Sequence, residues 1–159
     1  MTKLLMVCLG NICRSPAAEG VMKKVIKNHG ASNRYVVDSA GTAGYHEGEK
    51  ADSRMRKVGT SRGYTFDSIS RQVRMSDFEK FDYIFAMDDS NYRNLMYDCP
   101  KQYQYKIHKM VEFCQKVSAS EVPDPYYGGE KGFHRVIDIL EDACENLFVQ
   151  LENGSLPSQ

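Results

Sequence analysis

The stretch "KLLMVCLGNICRSP" (residues 3–16) decides the fold. Residues 3–9 form a near-continuous apolar run, the pattern of a strand buried on both faces. Gly10 and Asn11 follow, the pair best suited to the backbone angles of a sharp turn. Ser15 is a favoured helix N-cap and Pro16 a favoured first helical residue. The segment therefore reads as strand, tight loop and helix start. In open parallel sheets ligands bind beyond the carboxyl ends of strands, and Cys8 stands at that end.

Such a loop aims backbone N–H groups inward, and the helix start adds its positive dipole end, which together make an anion nest. Arg14 contributes a planar fork that matches two phosphate oxygens. The same positive field favours a thiolate at Cys8. Ser15 either offers its hydroxyl to the Cys8 sulfur or caps the helix. A lone cysteine at a strand end is usually a small buried hydrophobe; Gly10, Arg14, Ser15 and Pro16 at this spacing point to chemistry instead. No G-K-[ST] follows, so this is not a Walker loop.

Outward from this loop, strands are expected at 34–41 ("RYVVDSAG"), 81–88 ("FDYIFAMD") and 105–113 ("YKIHKMVEF"). Helices are expected at about 16–29 with a Gly30 stop, at about 51–63, at 89–98 and over "GFHRVIDILEDACENLFVQLEN" (132–153). In the last, Phe133, Val136, Ile137, Leu140, Cys144, Leu147 and Leu151 share one face. Strand–helix alternation predicts an α/β fold, a four-stranded parallel sheet with helices on both faces. The Pro-, Gly- and Ser-rich segment 112–132 reads as a long functional loop. The 159 residues suit one domain, placed at 1–153, with 154–159 as a mobile tail.

Twenty-one basic and 21 acidic residues cancel, so no nucleic-acid partner is expected, and any anion site must be local. Five cysteines, Cys8, Cys13, Cys99, Cys114 and Cys144, include no C-x-x-C pair. That excludes a disulfide scaffold or zinc ribbon. "LLMVCLG" is too short for a membrane span and lacks a signal-peptide cleavage pattern. A reduced, cytoplasmic protein with no membrane association is expected.

"VCLGNICRSP" resembles the C-x(5)-R-S loop of the low-molecular-weight protein tyrosine phosphatases. "DSAG" (38–41), "FDYIFAMDDSN" (81–91) and "DPYYGG" (124–129) resemble further segments of that family, in order, across nearly the whole chain. The resemblance implies a flavodoxin-like fold and hydrolysis of phosphotyrosine and small aryl phosphates, with acid phosphatase activity. It implies Cys8 as nucleophile, Arg14 as phosphate clamp and Asp124 as general acid. Leu9, Gly10, Asn11, Ile12, Cys13, Arg14 and Ser15 would bind phosphate. Asn11 and Ser39 would form a supporting hydrogen-bond pair, and Leu9, Tyr45, Tyr126 and Tyr127 would line the substrate pocket. Partners would be phosphotyrosine proteins or peptides, with inorganic phosphate as product and no metal or cofactor. One departure stands out: Ser68 occupies the place of a family histidine.

Asp124, between Pro123 and Pro125, is a turn former by itself and a catalyst in company with Cys8. Tyr126 and Tyr127 would stack on an aromatic substrate, and the resemblance also suggests them as phosphorylation targets. Cys13 is either a structural thiol or a redox partner that forms a reversible disulfide with Cys8. Asp88 and Ser90 read as helix caps, and the four histidines as surface or packing residues. Two rival functions share these residues: arsenate reductase-like thiol chemistry, and non-catalytic phosphotyrosine binding.

Overall fold

A computed structural model describes residues 1–126 and 128–156. Tyr127 and the expected tail residues 157–159 lie outside them. Four parallel strands, β1 (Thr2–Cys8), β2 (Tyr35–Gly41), β3 (Tyr83–Ala86) and β4 (Ile107–Lys109), make one sheet in the order β2-β1-β3-β4. Among the described residues the α-helices are α1 (Arg14–Asn28), α2 (Ser53–Ser61), α3 (Met75–Lys80), α4 (Asp89–Asp98) and α5 (Glu130–Glu152).

The strand alternation divides the core in two. On β1, Leu4, Met6 and Cys8 join α1, α2 and α5 in the larger cluster, together with Tyr83 and Phe85 of β3. Leu5 and Val7 point the other way, with Ile84 and Ala86, onto Phe78 of α3 and Leu95 of α4. From Leu4 to Cys8 both faces of β1 are therefore dry, which is why these residues are apolar without a break rather than alternating. The expected apolar face of α5 is the buried one: Phe133, Val136, Ile137, Leu140, Cys144 and Leu147 are each at most 1% exposed.

Three expectations need correction. The strand expected at 105–113 is only three residues long, between 3₁₀ turns at Lys101–Lys106 and Met110–Phe113. β4 is an edge strand paired with three residues of β3, and the Glu112 carboxylate accepts from the Lys109 amide at 3.1 Å, turning the chain out of the sheet. Ser15 is not the N-cap of α1: the helix begins at Arg14, with Cys13 at the cap and no side-chain capping bond. Pro16 still falls in the first turn, where its missing N–H removes no helical bond. Finally, α3 was not foreseen; the Asp77 carboxylate accepts from the Arg74 amide at 2.8 Å and closes its first turn.

The chain leaves β1 toward β2 on one side and returns to β3 on the other, so β1 lies at the switch point where open sheets bind ligands. Three segments converge there. Thr42 and Ala43 donate to the carbonyls of Cys8 and Leu9 (both 2.9 Å), and Gly41 exchanges bonds with Arg71 and Val73 (2.8 Å each). A Cβ on Gly41 would stand 2.7 Å from the Leu9 oxygen and 2.9 Å from that of Ala43, so only glycine admits this approach.

Candidate active site

The loop after β1 is folded around the Cys8 sulfur. Sγ lies 3.0 Å from the Ser15 hydroxyl and accepts from the Asn11 amide at 3.3 Å. Asn11 has φ 57°, making it the one non-glycine residue with positive φ among the described residues. That conformation turns its N–H toward the sulfur. Its carboxamide is fully used: Nδ2 donates to Ser15 Oγ at 2.8 Å, and Oδ1 accepts from the Arg71 amide at 3.0 Å. Asn11 therefore holds the loop from within, which is how asparagine offsets the strain of a left-handed residue.

The expected Asn11–Ser39 pair does not form. The Ser39 hydroxyl donates to buried Glu19 at 2.6 Å, because β2 turns it toward α1 and away from the loop. Loop support comes instead from the 70–71 segment: the Ser70 hydroxyl donates to the Gly10 carbonyl at 3.1 Å, beside the Arg71 bond to Asn11. The hydroxyl that meets the loop thus belongs to Ser70, two residues beyond Ser68.

Arg14 is buried, at 3% exposure, at the start of α1. Its Nη1 donates to Asp88 Oδ2 at 2.6 Å and to the Val122 carbonyl at 3.2 Å; Nη2 lies 3.9 Å from Asp124 Oδ2. Burial opposes its charge, but the Cys8 sulfur, Asp88 and Asp124 outweigh burial and raise its pKa above the ordinary arginine value. Asp88 does cap α4, accepting from the Asn91 amide at 2.7 Å through Oδ1, and its other oxygen holds Arg14. Sequence reasoning saw the cap and missed the ion pair. Its one available signal was an acid just past the end of a strand neighbouring β1.

Asp124 stands half exposed, with Oδ1 accepting from the Tyr126 amide at 3.0 Å. This two-residue bond is the turn its proline-flanked sequence suggests. Cys8, Arg14 and Asp124 face one cavity of about 360 Å³. Leu9, Tyr45 and Tyr126 surround its charged floor, and each is exposed. His46, read from sequence as a surface or packing residue, also lines the cavity, over Gly10 and bonded to Glu49 at 3.1 Å. Gly10, Ile12 and Cys13 complete the wall, while Asn11 and Ser15 lie buried beneath it.

Burial pushes the Cys13 thiol far up, reinforced by Asp52, Cys8 and Asp124 against the opposing pull of Arg54. Cys99 belongs to the α3–α4 core and Cys144 to the α5 core, away from the cavity lining. No group of three or more His, Cys, Asp or Glu side chains among the described residues is arranged to hold a metal ion.

Residues 3–155 match the model of the family described as low molecular weight phosphotyrosine protein phosphatase. The phosphatase of that name from Schizosaccharomyces pombe is 40% identical over 150 residues, covering 92% of this chain and 96% of its own. The human one is 39% identical over 145 residues, covering 89% and 90%. A crystal structure of protein tyrosine phosphatase from Entamoeba histolytica, with Hepes in its active site, superposes with a TM-score of 0.97 at 70% identity, covering 98% of this chain and all of that one. Sheet order, loop geometry and whole-length similarity agree, and the chain belongs to the low molecular weight phosphotyrosine protein phosphatase family.

Proposed function

We propose that this protein tyrosine phosphatase works through Cys8, Arg14 and Asp124. The reading rests on one observation above all: the Cys8 sulfur, the buried Arg14 fork and the Asp124 carboxyl meet in a single cavity, with Arg14 Nη2 3.9 Å from Asp124. A phosphate dianion enters against Arg14 and the loop amides. The Cys8 thiolate attacks phosphorus, the P–O bond to the aryl group breaks, and Asp124 gives its proton to the leaving oxygen. Water then attacks the cysteinyl-phosphate while Asp124 takes up its proton. The P–S bond breaks, and inorganic phosphate leaves with Cys8 again a thiolate. The Asn11 amide, already directed at Sγ, and the Ser15 hydroxyl 3.0 Å from it stabilise sulfur as the leaving group of this second step.

Leu9, Tyr45 and Tyr126 surround the charged floor with apolar surface and suit a flat aryl group, so phosphotyrosine in proteins or peptides is the substrate this site fits. All five cysteines are free, which favours a reducing, cytoplasmic setting. No helix among the described residues is long and apolar enough to cross a membrane.

The test compares wild type, Cys8→Ser and Asp124→Asn on para-nitrophenyl phosphate and on phosphotyrosine and phosphoserine peptides. Cys8→Ser should lose turnover while phosphate still protects Arg14 from phenylglyoxal. Turnover by Cys8→Ser, or phosphoserine processed as readily as phosphotyrosine, would refute the assignment.

A further inference from the structure

Asp124 is carried on a segment that runs from buried Val122 to the start of α5 at Glu130. Val122 is anchored, its amide donating to the Met87 carbonyl at 2.8 Å. Beyond it the chain passes through Pro123 and Pro125 and closes on itself through the Asp124–Tyr126 bond. A carboxyl that must meet a leaving oxygen to within a fraction of an ångström needs a tie from outside this segment.

Arg54 supplies that tie. Its Nη1 donates to the Tyr126 carbonyl at 2.9 Å, and its guanidinium carbon lies 5.1 Å from the Tyr126 ring centre and 5.0 Å from that of Phe133 on α5. The other side of the fork is fixed on Asp52: Nε to Oδ1 at 3.1 Å and Nη2 to Oδ2 at 3.0 Å. Asp52 caps α2, accepting from the Arg54 amide at 2.8 Å, and its own amide donates to the Ile12 carbonyl of the phosphate loop at 2.8 Å. One unbroken chain of contacts thus runs from the loop that holds phosphate to Tyr126, the residue whose amide binds the Asp124 carboxyl.

We propose that Arg54 is a positioning residue that sets Asp124 against the leaving-group oxygen by clamping Tyr126 to the Asp52 end of α2. Arg54 does not line the cavity and touches no reacting atom. Its planar fork can bind Asp52 with one edge and aim Nη1 outward at a fixed angle, which a lysine ammonium cannot reproduce. Burial would raise the Asp52 carboxyl, but Arg54 and the first amides of α2 outweigh it and hold it below the usual range, so the anchor is a charged one. The inference rests on Asp124 being the general acid, and the experiment separates the two.

The measurement is kcat/KM across aryl phosphates of rising leaving-group basicity, from 2,4-dinitrophenyl to phenyl phosphate. It is made for wild type, Asp124→Asn, Arg54→Met, Arg54→Lys, Asp52→Asn and the double variant Arg54→Met with Asp124→Asn. A phenolate that leaves readily needs no proton, so only poor leaving groups report the acid. Arg54→Met should lower kcat/KM on phenyl phosphate about 10-fold or more, while 2,4-dinitrophenyl phosphate changes less than about 3-fold. Arg54→Lys should not restore it, and Asp52→Asn should show the same leaving-group dependence more weakly. Inhibition by inorganic phosphate should stay unchanged, and adding Arg54→Met to Asp124→Asn should cost nothing further. Equal loss on every substrate, or additive loss in the double variant, overturns the role of Arg54. If Asp124→Asn itself shows no leaving-group dependence, the acid is misassigned and the inference falls with it.

Discussion

Replacing Asn11 tests how the loop keeps its shape. The residue is 1% exposed, has φ 57°, and uses both ends of its carboxamide. Asn11→Gly keeps the backbone angle open and removes the side chain. The Arg71 amide then loses its acceptor and Ser15 Oγ the donor Asn11 Nδ2, a cost of about 2 kcal/mol for buried polar groups left short of partners. For a domain of this size about 1 kcal/mol moves Tm by about 2–4 °C, so the glycine variant should melt about 4–8 °C lower. Asn11→Ala suffers the same loss and adds the left-handed strain, about 1–2 kcal/mol, less about 0.4–1 kcal/mol because alanine has less freedom to lose on folding than glycine. Alanine should therefore be the worse variant by a further ~1 kcal/mol or a little less. Activity should follow the same order. Relaxing the strain rotates the Asn11 amide off the sulfur it now meets at 3.3 Å, so kcat/KM on para-nitrophenyl phosphate should fall from wild type to glycine to alanine. Thermal unfolding and initial-rate kinetics on the three proteins decide it. An alanine variant at least as stable as glycine, or either one equal to wild type, would refute the reasoning.

Gly20→Ala sets two effects against each other: alanine is better in a helix interior by about 1 kcal/mol, but its Cβ would stand 2.4 Å from the Phe66 ring, and overpacking costs about 1–3 kcal/mol. The steric cost should win in wild type and reverse sign in a Phe66→Ala background, as read by urea unfolding. Asp142 accepts from the amides of Gln115, Lys116 and Val117 at 2.8–3.0 Å, and these with Asn146 outweigh burial and hold its carboxyl below the usual range. A lowered folded pKa gives stability that is present above the unfolded value of about 3.9 and lost as pH falls through the folded one. Asp142→Asn should thus cost about 2 kcal/mol at pH 7, with the gap to wild type closing below about pH 4; a gap that persists in acid would contradict this.

The sequence carries strong signals wherever a local rule suffices. A short apolar run that ends in a Gly-Asn turn fits a doubly covered strand, and β1 is one from Leu4 to Cys8. The helical spacing from Phe133 to Leu147 marks the buried face of α5, and α4 spans the expected 89–98. A segment as short as Met75–Lys80 shows too little of a helical period to be read, and β4 ends where one carboxylate, Glu112, redirects the chain. Within the site, the loop itself was legible because its glycine, asparagine and arginine are neighbours. Its supports were not, because they come from positions 70, 71 and 88, far along the chain. Ser39 shows the limit well: the hydroxyl that the family resemblance pairs with Asn11 finds its partner on α1 instead, in Glu19.

Asp88 shows why those distant supports matter to the chemistry more than to stability. A buried ion pair adds little to folding, since desolvation of both charges offsets most of their attraction. What the Arg14–Asp88 contact at 2.6 Å fixes is orientation. With Nη1 held by Asp88 and by the Val122 carbonyl, the guanidinium plane is set before any ligand arrives, and Nη2 is left toward Asp124. Ordering a long side chain on binding costs about 0.5–1.5 kcal/mol, and here folding has already met that cost. Asp88 is in turn held by the Asn91 amide at the start of α4, and Val122 by Met87 just past β3. The clamp is thus referenced to β3, while Cys8 is referenced to β1 beside it. Relative motion of nucleophile and phosphate clamp would require those two central strands to slide past one another.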